Sequence, residues 1–249
     1  MKLTVVGMSG TFPGPHSGCS SYLVEHDGFR LLLDVGNGST GALQDICGLL
    51  GPDAVMVSHL HGDHFLDLIT YTYARRYHPD GQPPLLPVFG PSDLREHVLG
   101  AYGRDVNELL DSVYDFRPVK DGSHVSIGPF EVDLQLVVHP VETYAMRVAT
   151  DGRTLTYSAD CGPCGSLVDI ARGADVFLCE ASYLDGDDNP PDIHLTGREA
   201  AEHAMRAGVG RLLLTHLVPW GDETRTMTEA TAGYDGDVAI ARVRDVHDV

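Results

Sequence analysis

Ser58-His59-Leu60-His61-Gly62-Asp63-His64 places three imidazoles and a carboxylate within six residues, directly after an apolar run at Ala54 to Val57 that reads as a buried strand. Imidazole nitrogen and carboxylate oxygen are ordinary ligands of zinc and the neighbouring divalent metals. Without an ion, such crowding repels as cations or buries polar edges unpaired, whereas a divalent metal satisfies all the donors together. Gly62 is expected to let the backbone turn sharply between the two donor pairs. A solvated loop that happens to carry histidines is the plain alternative, and the density of donors weighs against it.

The segment resembles the His-x-His-x-Asp-His motif of the metallo-β-lactamase superfamily. The likeness continues along nearly the whole chain, with His139 after a strand at Val132 to Val138, Asp160 after Thr154 to Tyr157, and His216 after Arg211 to Leu214. It implies an α/β fold in which two sheets pack face to face with helices on both outer sides, a four-layer αββα sandwich with metals at one edge. It further implies that His59, His61 and His139 hold one ion, that Asp63, His64 and His216 hold a second, and that Asp160 bridges them. Taken singly, His139 and His216 read as ordinary polar residues; their place in the series reverses that. Members that cleave β-lactams generally lack the bridging carboxylate, and flavin-dependent di-iron members carry Glu for one histidine of the first motif. The resemblance therefore points to the phosphodiesterase and thioesterase branches.

Two divalent ions sharing a carboxylate and a solvent molecule lower that water's pKa and keep a bridging hydroxide ready to attack. Zinc is the expected metal, with manganese or iron as alternatives for the same donors. Ribonuclease Z-like phosphodiesterases offer the sharper comparison, matched here by Cys179-Glu180-Ala181-Ser182 and His194-Leu195-Thr196. By that resemblance the catalytic set is Asp63, His194 and Glu180: His194 as general acid, Glu180 orienting its ring, Asp63 doubling as a metal ligand. The plain alternatives are a loop histidine and a surface acid. Val88-Phe89-Gly90-Pro91 matches a Gly-Pro turn of that group, whose backbone N–H groups could meet a phosphate. Arg75 and Arg76 read as a solvated helix face, with contact to substrate phosphate as the alternative.

Ribonuclease Z inserts a long basic arm that grips transfer RNA between the residues corresponding to His139 and Asp160. Only twenty residues, Pro140 to Ala159, stand there in this chain, enough for a hairpin. The formal charge of −19, from 36 acidic and 17 basic side chains, also repels a phosphate backbone. Long nucleic acid is therefore a poor expected partner. Arg75-Arg76-Tyr77-His78-Pro79, Gly90-Pro91-Ser92-Asp93 and Thr215-His216-Leu217-Val218-Pro219-Trp220 look most like short actinobacterial members described as atypical class II cyclic-nucleotide phosphodiesterases. The implied activity is hydrolysis of a small phosphodiester, a 3′,5′-cyclic nucleotide foremost. An RNA phosphodiesterase, a thioester or lactone hydrolase, and a catalytically inert metal- or nucleotide-binding protein are the alternatives.

The elements that must position these groups follow from apolar patterning. At 249 residues the chain is expected to fold as a single domain over 1–249. Further strands are expected at Leu3 to Val6, at Ser21 to Glu25 and Phe29 to Leu33 joined by a His26-Asp27-Gly28 turn, and at Val176 to Leu178. Thr196-Gly197-Arg198-Glu199 is a capping box opening a helix whose inner face should be Ala200, Ala201, Ala204 and Met205, ended by Gly208. Pro79 to Pro87 and Asp187 to Pro191 read as ordered surface loops able to flank a pocket. No run reaches the length of a membrane span and no signal peptide is legible, so the expected location is the cytoplasm. Five cysteines in such a chain should be reduced thiols, with Cys161-Gly-Pro-Cys164 a turn carrying two of them rather than a redox couple. A homodimer is left open.

Overall fold

The computed structural model describes residues 1–103 and 105–249. The first of two sheets contains β1 (Lys2–Ser9), β2 (Gly18–Cys19), β3 (Ser21–His26), β4 (Phe29–Leu33), β5 (Ala54–Met56), β6 (Leu86–Gly90) and β7 (Tyr114–Pro118). The second contains β8 (His124–Ile127), β9 (Phe130–Leu136), β10 (Tyr144–Thr150), β11 (Arg153–Tyr157), β12 (Val176–Glu180), β13 (Arg211–Thr215) and β14 (Asp237–Ile240). A last strand, β15 (Val246–Asp248), returns to the first sheet beside β1. Both sheets are mixed. An antiparallel meander runs into parallel strands in each: β1, β3 and β4 lead to β5, β6 and β7, and β8 to β11 lead to β12, β13 and β14.

Period-2 alternation sets the layers, because successive side chains of a strand point to opposite faces. Tyr22, Val24, Leu31, Leu33 and Met56 of the first sheet share one core with Phe130, Val132, Met146, Val148, Leu155 and Tyr157 of the second. Their neighbours Leu23, Leu32 and Val55 face the other way, against Leu43, Leu68, Tyr71 and Val98. Those residues belong to α1 (Ser39–Ile46), α3 (Asp67–Arg76) and α4 (Leu94–Ala101), which cover the first sheet with the short α2 (Gly62–Phe65) and α5 (Asn107–Asp111) nearby. On the far side α6 (Gly165–Ala171) and α7 (Gly197–Ala207) pack on the second sheet, with α8 (Glu223–Gly233) against α7. Helix, sheet, sheet and helix make the four expected layers.

α7 starts with the capping box: Glu199 N–H donates to Thr196 Oγ1, and Thr196 N–H donates to the Glu199 carboxylate. Gly208 closes it in the left-handed conformation. Its inner face departs from expectation, since Met205 is exposed and His203 is buried instead. The helical period puts 203 on the stripe of 200, 204 and 207, and the ring is satisfied there by Glu199 O and the Cys164 backbone. The twenty residues before Asp160 hold the β10–β11 hairpin, whose Asp151-Gly152 turn, like Asp27-Gly28 between β3 and β4, has positive φ at both residues.

Three further readings are corrected. Leu86 and Pro87 belong to β6 and not to a loop; the ladder with β5 begins only at Val88, so Pro87 is outside that register. Arg75 is buried rather than solvated: its guanidinium donates to Pro84 O at 2.8 Å and lies over the Tyr71 ring, while Arg76 donates to Gln82 Oε1 at 2.7 Å. Both cations are committed to the proline-rich loop. Gly62, finally, has ordinary backbone and opens α2; its lack of a side chain makes room for Leu66, whose Cδ1 would lie 2.7 Å from a Cβ. All five cysteines are free, and burial pushes the Cys161 thiol well above its ordinary pKa. Among the described residues no helix is long and apolar enough to cross a membrane.

Candidate metal centre

Strand ends supply every donor. β5 runs into Ser58, His59 and His61, and then into α2 with Asp63 and His64; β9 precedes His139, β11 precedes Asp160, and β13 precedes His216. This is where open α/β sheets place ligands, outside the carboxyl ends of their parallel strands. The turns are tight. Asp34, Ala159 and His216 have φ of 58°, 53° and 55°, a conformation that costs a residue with a side chain on the order of 1–3 kcal/mol and persists where the surroundings enforce it. Gly36 is one enforcing contact: a Cβ there would lie 2.0 Å from Asp63 O, and Val35 N–H donates to His64 O at 2.8 Å.

The structure brings all seven sequence-predicted donors together in two groups that share Asp160. His59, His61, His139 and Asp160 form one, and Asp63, His64, Asp160 and His216 the other; in each, one donor atom per residue lies within 4.8 Å of the rest. His61 Nδ1 is 3.1 Å from His139 Nε2, while His64 Nε2 and His216 Nε2 are each 3.2 Å from an Asp160 oxygen. His59 Nε2, His64 Nε2, His216 Nε2 and Asp160 Oδ1 are buried without a hydrogen-bond partner. Four such orphans around one space would be costly in a purely structural cluster, and they are the lone pairs that divalent ions would take.

The opposite ring nitrogens are occupied, which fixes tautomers. Nδ1 of His59 meets Ser58 Oγ at 3.0 Å, that of His139 meets Ile193 O at 2.9 Å, that of His216 meets Ser20 Oγ at 2.8 Å, and that of His64 meets Asp34 Oδ2 at 2.7 Å. Nδ1 thus carries the hydrogen toward the acceptors and Nε2 turns its lone pair inward. Asp34 is fully buried and also accepts from Ser58 N–H, Ser58 Oγ–H and Tyr157 O–H. Sequence reasoning missed it. The signal was present in its position immediately after the apolar run Phe29–Leu33, the same placement that identified Asp160. Asp34→Asn keeps the shape and removes the charge, so metal affinity is expected to fall roughly 10–100-fold in competition with a chromogenic chelator; unchanged affinity would remove Asp34 from the site.

Electrostatics separate the histidines. Burial holds His59, His61 and His139 below the ordinary imidazole pKa, which keeps them neutral and able to ligate. Burial acts the same way on His64, but the carboxylates of Asp160 and Asp34 outweigh it and raise the pKa well above ordinary. For Asp160 burial favours the neutral acid, and His216 and His64 reverse it, so the carboxylate is held ionised.

Beside this cluster, His194 Nδ1 lies 2.9 Å from Glu180 Oε1. Glu180 ends β12 and is fully buried, not a surface acid; it accepts from Cys161 N–H at 2.8 Å and Ser182 N–H at 3.3 Å, so its geometry is fixed. Burial disfavours the His194 imidazolium, yet Glu180, followed by Asp160 and Asp63, brings the pKa up to about 9. At Gly90-Pro91, Gly90 O accepts from Val119 N–H and Pro91 O accepts from Leu94 N–H.

Residues 30–217 match the Beta-lactamase superfamily domain. The Mycobacterium leprae protein ML1173 is 43% identical over 96% of this chain and 85% of its own length. The probable metallo-hydrolase YhfI of Bacillus subtilis is 29% identical over 97% of both chains, and its crystal structure superposes with a TM-score of 0.87 at 28% identity, covering 99% of this chain and 98% of that one. A ribonuclease Z of Mycobacterium bovis is 27% identical over 100% of this chain and 98% of its own. The chain belongs to the metallo-β-lactamase superfamily. Within it, the chain is a metallo-hydrolase related to ribonuclease Z.

Proposed function

We propose that this metallo-hydrolase cleaves small phosphodiesters, a 3′,5′-cyclic nucleotide foremost, with the seven donors holding two divalent ions, zinc before manganese or iron. The observation that carries the reading is the His194–Glu180 pair at 2.9 Å, set against Asp160 of the donor cluster. Such ions, when bound, supply an activated water and neutralise charge on the phosphoryl oxygens. The chain's own residues must then deal with the departing sugar oxygen, a poor leaving group unless it is protonated. With Nδ1 committed to Glu180, His194 Nε2 is the atom left to deliver that proton. Buried Glu180 keeps the ring protonated and aimed, and the fixed ring nitrogens of the histidines keep the donor set in register.

A thiolate leaves without help from an acid, so this pair favours phosphodiesters over thioesters. Its kinship with ribonuclease Z supports RNA cleavage as a second reading, against which stand the charge of −19 and the short β10–β11 hairpin where a gripping arm would be needed. Incubating metal-loaded protein with cyclic AMP, cyclic GMP, bis(p-nitrophenyl) phosphate, a precursor transfer RNA and an acyl thioester tests these readings. Release of nucleoside monophosphate with intact RNA is expected; turnover of RNA or thioesters alone would overturn the proposal.

A further inference from the structure

Next to the donor cluster lies a cleft of about 490 Å³, a volume suited to one nucleoside-sized group. Three of its wall residues touch the site itself. Thr11 N–H donates to Asp63 Oδ2 at 2.8 Å, Ser182 Oγ–H donates to His216 O at 2.6 Å, and the Tyr183 ring meets His194 edge-on at 5.1 Å between centroids. Farther out, Phe12 and Trp220 form an aromatic pair with centroids 4.4 Å apart, and Trp220 is 80% exposed. An indole left that open, paired with Phe12 and at the mouth of a cleft, keeps aromatic surface on which a further ring can stack.

The remaining wall selects by charge. Among the described residues no lysine or arginine lines the cleft, while Asp187, Asp222 and Glu223 do. These carboxylates are held by structural partners, Asp187 and Glu223 by Arg225 and Arg242, and Asp222 by the first turn of α8. With their cations already paired to them, these carboxylates leave a further phosphate little to bind and offer acceptor edges to N–H groups. Stacking surface, acceptors and neighbouring cations already engaged in ion pairs together suit a flat, neutral, donor-bearing ring.

We infer that this cleft seats the heteroaromatic base of the substrate, stacked on Phe12 and Trp220 while the phosphodiester reaches the donor cluster past Thr11 and Tyr183. The inference rests on the phosphodiesterase reading for the substrate's other half, but base binding can be measured alone. Trp220 is the chain's one tryptophan, so its emission reports on the cleft directly. Adenosine added to metal-loaded protein should quench that emission, dimethyl phosphate should not, and Phe12→Leu should weaken adenosine roughly tenfold. Phe12→Leu and Trp220→Leu should each raise KM for a cyclic nucleotide by a similar factor with kcat nearly unchanged. Quenching by dimethyl phosphate equal to that by adenosine, no response to adenosine, or an unmoved KM in both variants overturns the inference. If adenosine quenches and no diester is cleaved, the phosphodiesterase proposal fails while the base site stands.

Discussion

Asp160→Ala is expected to lower kcat/KM for a phosphodiester on the order of 10³-fold or more and to reduce bound metal from two ions per chain to one or fewer. Among the described residues Asp160 alone is common to both donor groups, and it is 2% exposed. Removing it leaves the Nε2 atoms of His64 and His216 with Asp63 Oδ2, 3.7 Å from each, as their remaining carboxylate, so divalent charge would be compensated less. Alanine empties little volume, so circular dichroism should report a folded protein, and elemental analysis beside kinetics makes the comparison. Full metal content with near-normal turnover would show that Asp160 is not the bridge.

His194→Ala should lower kcat by roughly 10²–10⁴-fold while KM changes little, because a proton donor acts on the leaving oxygen and contributes little to ground-state binding. The effect should shrink on bis(p-nitrophenyl) phosphate, whose phenolate leaves without help. An equal loss on both substrates would argue against an acid role. The pH profile gives a second reading. A raised pKa means that the imidazolium is present at neutral pH and is lost as pH rises, so activity should decline on the alkaline side. His194 sits at about 9 when only its protein neighbours act on it, and bound cations would draw that limb downward. Glu180→Gln removes the strongest favourable neighbour, and the alkaline limb should move further toward acid, whereas a merely structural Glu180 would lower rate without shifting it.

The donors were legible because their chemistry lies in residue type and in the place where an apolar run stops. His59 to His64 needs no tertiary knowledge to look anomalous, and His139, Asp160 and His216 each follow a strand that announces itself by β-type residues. What supports them was not legible. Ser20 is 196 residues from His216, and the acceptor for His139 is a backbone carbonyl that any residue at 193 would supply. Arg75 beside Arg76 and Tyr77 gives no local hint that one cation is buried under a proline-rich loop. β6 was hidden by Pro87, whose usual message in a central strand is exclusion. The layers were recoverable from alternation, while the exact ends of the elements depended on partners far along the chain.

Each donor group takes its members from both sheets: those after β5 come from the first, and His139, Asp160 and His216 come from the second. A pair of ions seated there would be rivets as well as reagents, fastening two layers that otherwise meet through a mainly apolar core and a few polar pairs such as Tyr22 with Thr215 and His26 with Asp151. The edge that performs the chemistry and the edge that keeps the layers from sliding apart would then be one and the same, so a cell that starves this protein of metal withdraws its reactivity and its mechanical cohesion in a single step.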